Sequence, residues 1–292
     1  MRSPALIALA PLAAHAHVPD APATDVAAAW AWNFEPRVLV LLAVSAIAYA
    51  AGLLRLWRHA GRGRGVALHQ ALAFALGWLS LVAALVSPLD TLGSHLFSAH
   101  MGQHELLMVV AAPLLVLGRP LATGLGAGPA AAARRRAAVP AAGLDVLLGP
   151  AHRPAGGLAV HALALWAWHV PALFNAALVH EPVHVAQHFF FPVTALFFWW
   201  AVLGHDPRGR HGPGPSVAYL FTTMLHTAAL GALLSLSPTA WYAEYVPRTA
   251  LPGFDPVEDQ QLGGLVMWVP SGLAYVVAAL AVFGRMLARA RA

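Results

Sequence analysis

The chain has 292 residues, of which 59% are hydrophobic and only 10% charged, with a formal net charge of +5. An ordinary soluble domain carries about a quarter charged residues, which sets aside a globular cytosolic protein. The mean hydropathy is +0.66, and the apolar residues run in blocks of about 20, as membrane-spanning helices require.

Two residue types are missing. Without Cys there is no disulfide, thiolate metal site, iron–sulfur cluster or covalently attached c-type haem. All 17 basic residues are Arg, so Schiff-base chemistry and Walker-type phosphate binding are absent as well. By contrast the chain has 16 His, more than its 12 Asp and Glu together. Polar chemistry inside this membrane protein therefore rests largely on imidazole.

Residues 1–16 read as a secretory signal, with Ala14-His15-Ala16 offering the small-x-small cleavage pattern. Residues 17–36 are then a short extracytoplasmic segment, and 37–292 a membrane domain. Seven spans follow, at roughly 37–57, 66–86, 97–118, 157–179, 184–203, 215–237 and 262–284. Arg55, Arg58, Arg62 and Arg64 fill the first connection, and Arg119, Arg134, Arg135, Arg136 and Arg153 the third. Arg208 and Arg210 lie in the fifth, and Arg285, Arg289 and Arg291 in the tail. Only Arg37 and Arg248 fall on the opposite side. Arginine accumulates on the cytoplasmic face, so the expected fold is an all-α, seven-transmembrane-helix bundle with its N-terminus outside and its C-terminus cytoplasmic. The pI near 10.4 is thereby a topology signal, and nucleic acid is not an expected partner.

The loops differ in kind. Residues 119–156 read as a cytoplasmic linker rich in Ala, Gly, Pro and Arg, whose GLGAGPA stretch is too loose for a nucleotide loop. Residues 238–261 form an aromatic and acidic outer loop. There Trp241, Tyr242 and Tyr245 suit an interfacial belt.

A weak internal repeat links the third and fifth spans. One begins His100-Met101-Gly102-Gln103-His104 and the other His184-Val185-Ala186-Gln187-His188. Residues four apart share a helix face, so each HxxQH pairs two imidazoles, and Met108 extends the first stripe. Counting from the span starts, His100 and His104 lie about 5–10 Å below the outer surface and His184 and His188 within about 6 Å of it. His169 and His226 sit nearer the midplane. Ionisable groups within spans face a bundle interior or a watery cavity. Imidazole and thioether donors without thiolate suit copper, with zinc and haem iron also open. Glu105 pairs with a His or stays protonated. Asp259, with Gln260 and Gln261 at the start of the seventh span, either caps that helix or orients an imidazole. Pro113, Pro171, Pro192 and Pro270 interrupt helical hydrogen bonding close to these residues.

Four stretches carry a family resemblance: HMGQHELLMVVAAPLLVLGRPL (100–121), WHVPALFNAALVHEPVHVAQH (168–188), FFWW (197–200) and DQQLGGLVMWVPSG (259–272). From about residue 35 onward the chain resembles the multi-span CtaG family of cytochrome c oxidase assembly factors. The single-span, Cys-using copper chaperone of the same name is a different protein type, which a Cys-free chain cannot be. The resemblance implies a multi-pass protein of the bacterial plasma membrane that supports copper insertion into a haem–copper oxidase. Its partners would be an oxidase subunit or another copper chaperone, together with membrane lipid. The family's histidine positions fall on His100, His104, His169, His184 and His188, with Asp259 and Gln260 in the outer motif. The expected function is a non-enzymatic assembly factor holding or passing copper through His and Met ligands. A copper or other metal transporter, a bis-His b-type haem protein and a purely structural scaffold are the alternatives. A metalloprotease would want HExxH, whereas at the start of the third span Glu105 follows the second His of the pair.

Overall fold

The structure is a computed structural model that describes residues 30–125, 154–204, 213–249 and 254–290. The signal-like residues 1–16, most of the 119–156 linker and the arginines at 134–136, 153, 208 and 210 lie outside the described residues. The elements are α1 (Pro36–Ala60), α2 (Leu68–Leu85), α3 (Pro88–Gly93), α4 (Phe97–Glu105), a π-helical turn (Leu106–Ala111), α5 (Ala112–Leu117), α6 (Pro120–Leu125), α7 (Pro154–Trp168), α8 (Pro171–Val179), α9 (Glu181–Leu203), α10 (Pro213–Ser235), a 3-10 turn (Ala243–Tyr245) and α11 (Pro256–Ala290). No strand occurs among the described residues.

Six helical segments are long and apolar enough to cross a membrane, and a seventh counts if α7 and α8 together make one span. Those two helices meet at a bend of 73°. The expected span at 157–179 is therefore broken and not a continuous helix. The cause is local: Pro171 has no N–H to continue the ladder and starts α8 as its first residue. His169 and Val170 occupy the bend.

The third span is interrupted differently. Ala112 donates its N–H to Leu107, five residues back, which is the π pattern. By that pattern Pro113 would serve the Met108 carbonyl, and it has no N–H to give. Trp199 of α9 supplies the missing donor, its indole Nε1 lying 2.8 Å from the Met108 oxygen. A helix irregularity in hydrocarbon survives only when a neighbour satisfies the freed group.

Close packing holds the bundle. α10 and α11 meet through glycines: a Cβ on Gly264 would stand 2.7 Å from the Gly231 carbonyl oxygen, and one on Gly231 would stand 2.7 Å from the Trp268 Cβ. Small residues permit such backbone approach in membranes, where dispersion contacts rather than hydrophobic burial bring helices together. α1 is the most peripheral helix, burying only Leu42 and Tyr49. Tyr49 stacks on Phe74 and donates to the Gly118 carbonyl at 2.9 Å.

One end of the bundle carries an aromatic plug of Phe97, Phe174, Tyr242 and Tyr245. Tyr242 and Tyr245 are 1% and 2% exposed, so they are buried and do not form the interfacial belt expected from sequence. The Tyr242 hydroxyl donates to the His169 carbonyl at 3.1 Å, satisfying an oxygen at the α7–α8 bend. Tyr245 donates to the Gly93 carbonyl at 2.6 Å. Burial, and next the Asp259 carboxylate, push the Tyr245 hydroxyl well above the usual range, which keeps it a donor.

α11 begins at Pro256, so residues 256–261 are helical and not loop. Asp255 caps this helix, accepting from the Val257 and Glu258 amides at 2.8 and 3.3 Å. Asp259 is thereby free to act elsewhere. It reaches across to α4, whose own N-cap residue Leu96 offers no side-chain acceptor. The Asp259 carboxylate accepts from the Phe97 amide at 2.6 Å, from the Ser98 amide at 3.2 Å and from the Ser98 hydroxyl. The helix carrying His100 and His104 is thus capped from a different span.

Two outcomes follow. Asp259→Ala should lower stability by about 0.5–2 kcal/mol, the usual worth of such a cap, with Asp259→Asn intermediate, read as thermal unfolding in detergent. Gly264→Val should cost about 1–3 kcal/mol by overpacking α10 against α11, measured in the same way.

Candidate metal centre

His104 is the eighth residue of α4 and His188 the eighth of α9. Equal distances from their helix starts place the two at one level, and four-residue spacing sets His100 and His184 one turn nearer the plugged end. The two HxxQH segments face each other. Ring centroids are 4.3 Å apart for His100 and His104, 5.6 Å for His104 and His188, and 5.9 Å for His100 and His188.

One ligand nitrogen each from His100, His104 and His188 lies within 4.8 Å of the others. Among the described residues this is the one cluster of three or more His or carboxylate groups with such spacing. His100 and His104 are each 1% exposed. The Nε2 atoms of His100 and His188 and both ring nitrogens of His104 have no hydrogen-bond partner. A buried polar group without a partner costs about 1–3 kcal/mol, a cost that a ligand shared by the three converging imidazoles would offset. Lone pairs on ring nitrogens suit a cation with nitrogen preference.

The remaining expected ligands sit around this triad. His184 is half-buried at its rim, its ring 4.2 Å from that of His188 and 6.1 Å from that of His100. His169, at the α7–α8 bend, stands apart from the triad but shares its aromatic wall. Phe174 touches His100 and His169, and Phe191 touches His104 and His169. Met108 and Glu105 line a small cavity that His104 lines as well. His226 is half-buried, within electrostatic range of His161, with both nitrogens unpartnered.

Among the described residues, Asp259 and Gln260 bond backbone groups and the Ser98 hydroxyl, not an imidazole. Asp259 caps α4, as described. Gln260 braces the segment between α10 and α11, accepting from the Trp241 amide at 2.6 Å and donating to the Thr239 carbonyl at 3.2 Å. Of the two, only Asp259 bonds the helix that carries His100 and His104.

Several contributing residues carry no individual signal in the sequence. Gln103 donates to the Ala84 carbonyl at 2.9 Å and to Asp90 at 2.7 Å, tying α4 to α2 and α3. Asp90 in turn accepts from Asn33 at 2.6 Å. The repeated Gln of HxxQH was the available clue. Its counterpart Gln187 is fully buried with both amide atoms unpartnered. Gly93 is needed for close approach, since a Cβ there would meet the His100 Cα at 3.3 Å. Trp199 and Tyr242, which satisfy freed carbonyls, are recognisable only once the helix breaks are seen.

The chain matches the family described as cytochrome c oxidase caa3 assembly factor (Caa3_CtaG) over residues 47–289. It is 27% identical over 261 residues to an uncharacterised protein of Mycobacterium leprae, covering 87% of this chain and 39% of that one. Uncharacterised proteins of Mycobacterium bovis and Mycobacterium tuberculosis are each 28% identical over 261 residues, with 86% of this chain and 38% of theirs covered. The chain thus spans about two fifths of the length of these relatives. No solved structure matches it. The family match takes in all three triad histidines and the α4, α9 and α11 segments that position them: this chain belongs to the Caa3_CtaG family of cytochrome c oxidase assembly factors.

Proposed function

We propose that this protein holds copper during maturation of a haem–copper oxidase, binding the ion through His100, His104 and His188 with His184 beside them. The observation that carries this reading is the convergence of three imidazoles from two different spans, with ligand nitrogens within 4.8 Å and an unpartnered Nε2 on each ring. Family membership supplies the context of oxidase assembly. Copper here is cargo. Neutral imidazole ligands release it by ligand exchange more readily than thiolates would, and the chain contains no Cys.

The arginine distribution supports a multi-pass arrangement in the bacterial plasma membrane, N-terminus outside and C-terminus in the cytoplasm. The triad then lies on the extracytoplasmic side, within reach of an oxidase subunit or copper chaperone. No catalytic step is required. Nitrogens this close, packed round by Phe174 and Phe191, favour a bare ion over a haem macrocycle.

Detergent-purified protein loaded with Cu(II), which imidazole nitrogens hold and thioethers do not, should retain it, and His100→Ala/His104→Ala should abolish that retention while leaving the thermal transition cooperative. The same variant should fail to support oxidase maturation in cells. Retention of Cu(II) by the double variant, or no Cu(II) on the loaded wild type, overturns the proposal. Metal analysis with an absorption spectrum reads copper, zinc and haem together.

A further inference from the structure

A second feature shares His104 with the triad but is lined by neither His100 nor His188. There a cavity of about 10 Å³ is lined by Met101, His104, Glu105, Met108, His169 and Met267, among others. That volume is about the room needed by one water or one ion. The chain has six Met, and three of them line this single cavity.

His161, Thr227 and Ser271 of its lining are hydrogen-bonded, but two other polar members are left open. His169 places Nδ1 2.7 Å from the Leu165 carbonyl. A carbonyl only accepts, so the proton sits on Nδ1 and the lone pair on Nε2, which has no partner. Glu105 Oε2 is likewise unpartnered. The first six lining residues named are 9% exposed or less. Packing accounts for buried methionines, but not for an imidazole nitrogen and a carboxylate oxygen left unmatched around the same space. Thioether and imidazole together are a soft donor set that selects monovalent copper, and a nearby carboxylate offsets its charge in a medium where isolated charge is costly.

We infer that this cavity is a second, inner subsite for monovalent copper, held by the thioethers of Met101, Met108 and Met267 with His169. His104 joins the two subsites. Its ring lines the cavity and also belongs to the triad, and neither of its nitrogens has another partner. The two nitrogens of an imidazole diverge, so one ring serves both sides. Passage between subsites exchanges nitrogen and sulfur ligands on an ion that stays monovalent, with no electron transferred and no bond to carbon changed. This inner subsite rests on the copper reading of the triad above.

The test loads full-length detergent-purified protein with Cu(I) under anaerobic, reducing conditions and measures copper per chain and X-ray absorption. Wild type is expected to bind two Cu(I) per chain, with sulfur as well as nitrogen in the coordination shell. The triple variant Met101→Leu/Met108→Leu/Met267→Leu, close in volume to wild type, should bind one Cu(I) with nitrogen only. His100→Ala/His188→Ala should retain one Cu(I) with sulfur ligands. Sulfur-free coordination in the wild type overturns the inner subsite by itself, without recourse to any variant. If the triple variant also matches wild-type stoichiometry while the His variant loses its copper, only the inner subsite falls. A wild type that binds no Cu(I) overturns both readings.

Discussion

Everything around the histidines depends on one constraint: a backbone N–H or C=O freed inside the membrane must find a partner in another helix. Three such debts surround the site, and each is met by a named side chain. The first-turn amides of α4 are capped by Asp259 of α11, 162 residues away. The Met108 carbonyl, freed by the π turn and Pro113, is taken by Trp199 of α9. The His169 carbonyl at the α7–α8 bend is taken by Tyr242. Each irregularity thus becomes a point where two spans are fixed to one another.

Against that background the imidazoles stand out. The backbone next to them is carefully satisfied, yet the ring nitrogens of His100, His104, His169 and His188 include atoms with no partner. At about 1–3 kcal/mol for each such group, the arrangement costs stability that a bound cation would offset. π turns recur at functional sites, and here one begins directly after Glu105 and carries Met108, which lines the methionine-lined cavity.

The two HxxQH segments resemble each other in sequence and face each other in space, but they are not used alike. Gln103 is fully engaged, bonding α2 and α3 and so locking α4 in rotation. Gln187 is as deeply buried, and its amide faces His100 without a well-formed hydrogen bond. His104 is central, while His184 remains at the rim. Repetition supplies two similar helix faces; their neighbours decide which residue becomes structural and which stays available.

Sequence alone determined what is local. Runs of apolar residues fix the spans because a helix must cover the hydrocarbon thickness, and four-residue spacing fixes His100 with His104 and His184 with His188 because one turn returns to the same face. Proline positions marked where hydrogen bonding must fail. Which neighbour repairs each failure was not legible, because Asp259, Trp199 and Tyr242 are far from their partners in the chain. Asp259 shows the limit clearly: its position suggests a cap for its own helix, but Asp255 already fills that role and leaves it to cap α4. Only the tertiary structure decided that His188 joins the first pair while His169 and Met108 line a cavity that His104 lines as well. That choice depends on the rotation and depth of each helix against the others, which side-chain packing sets and periodicity within one helix does not.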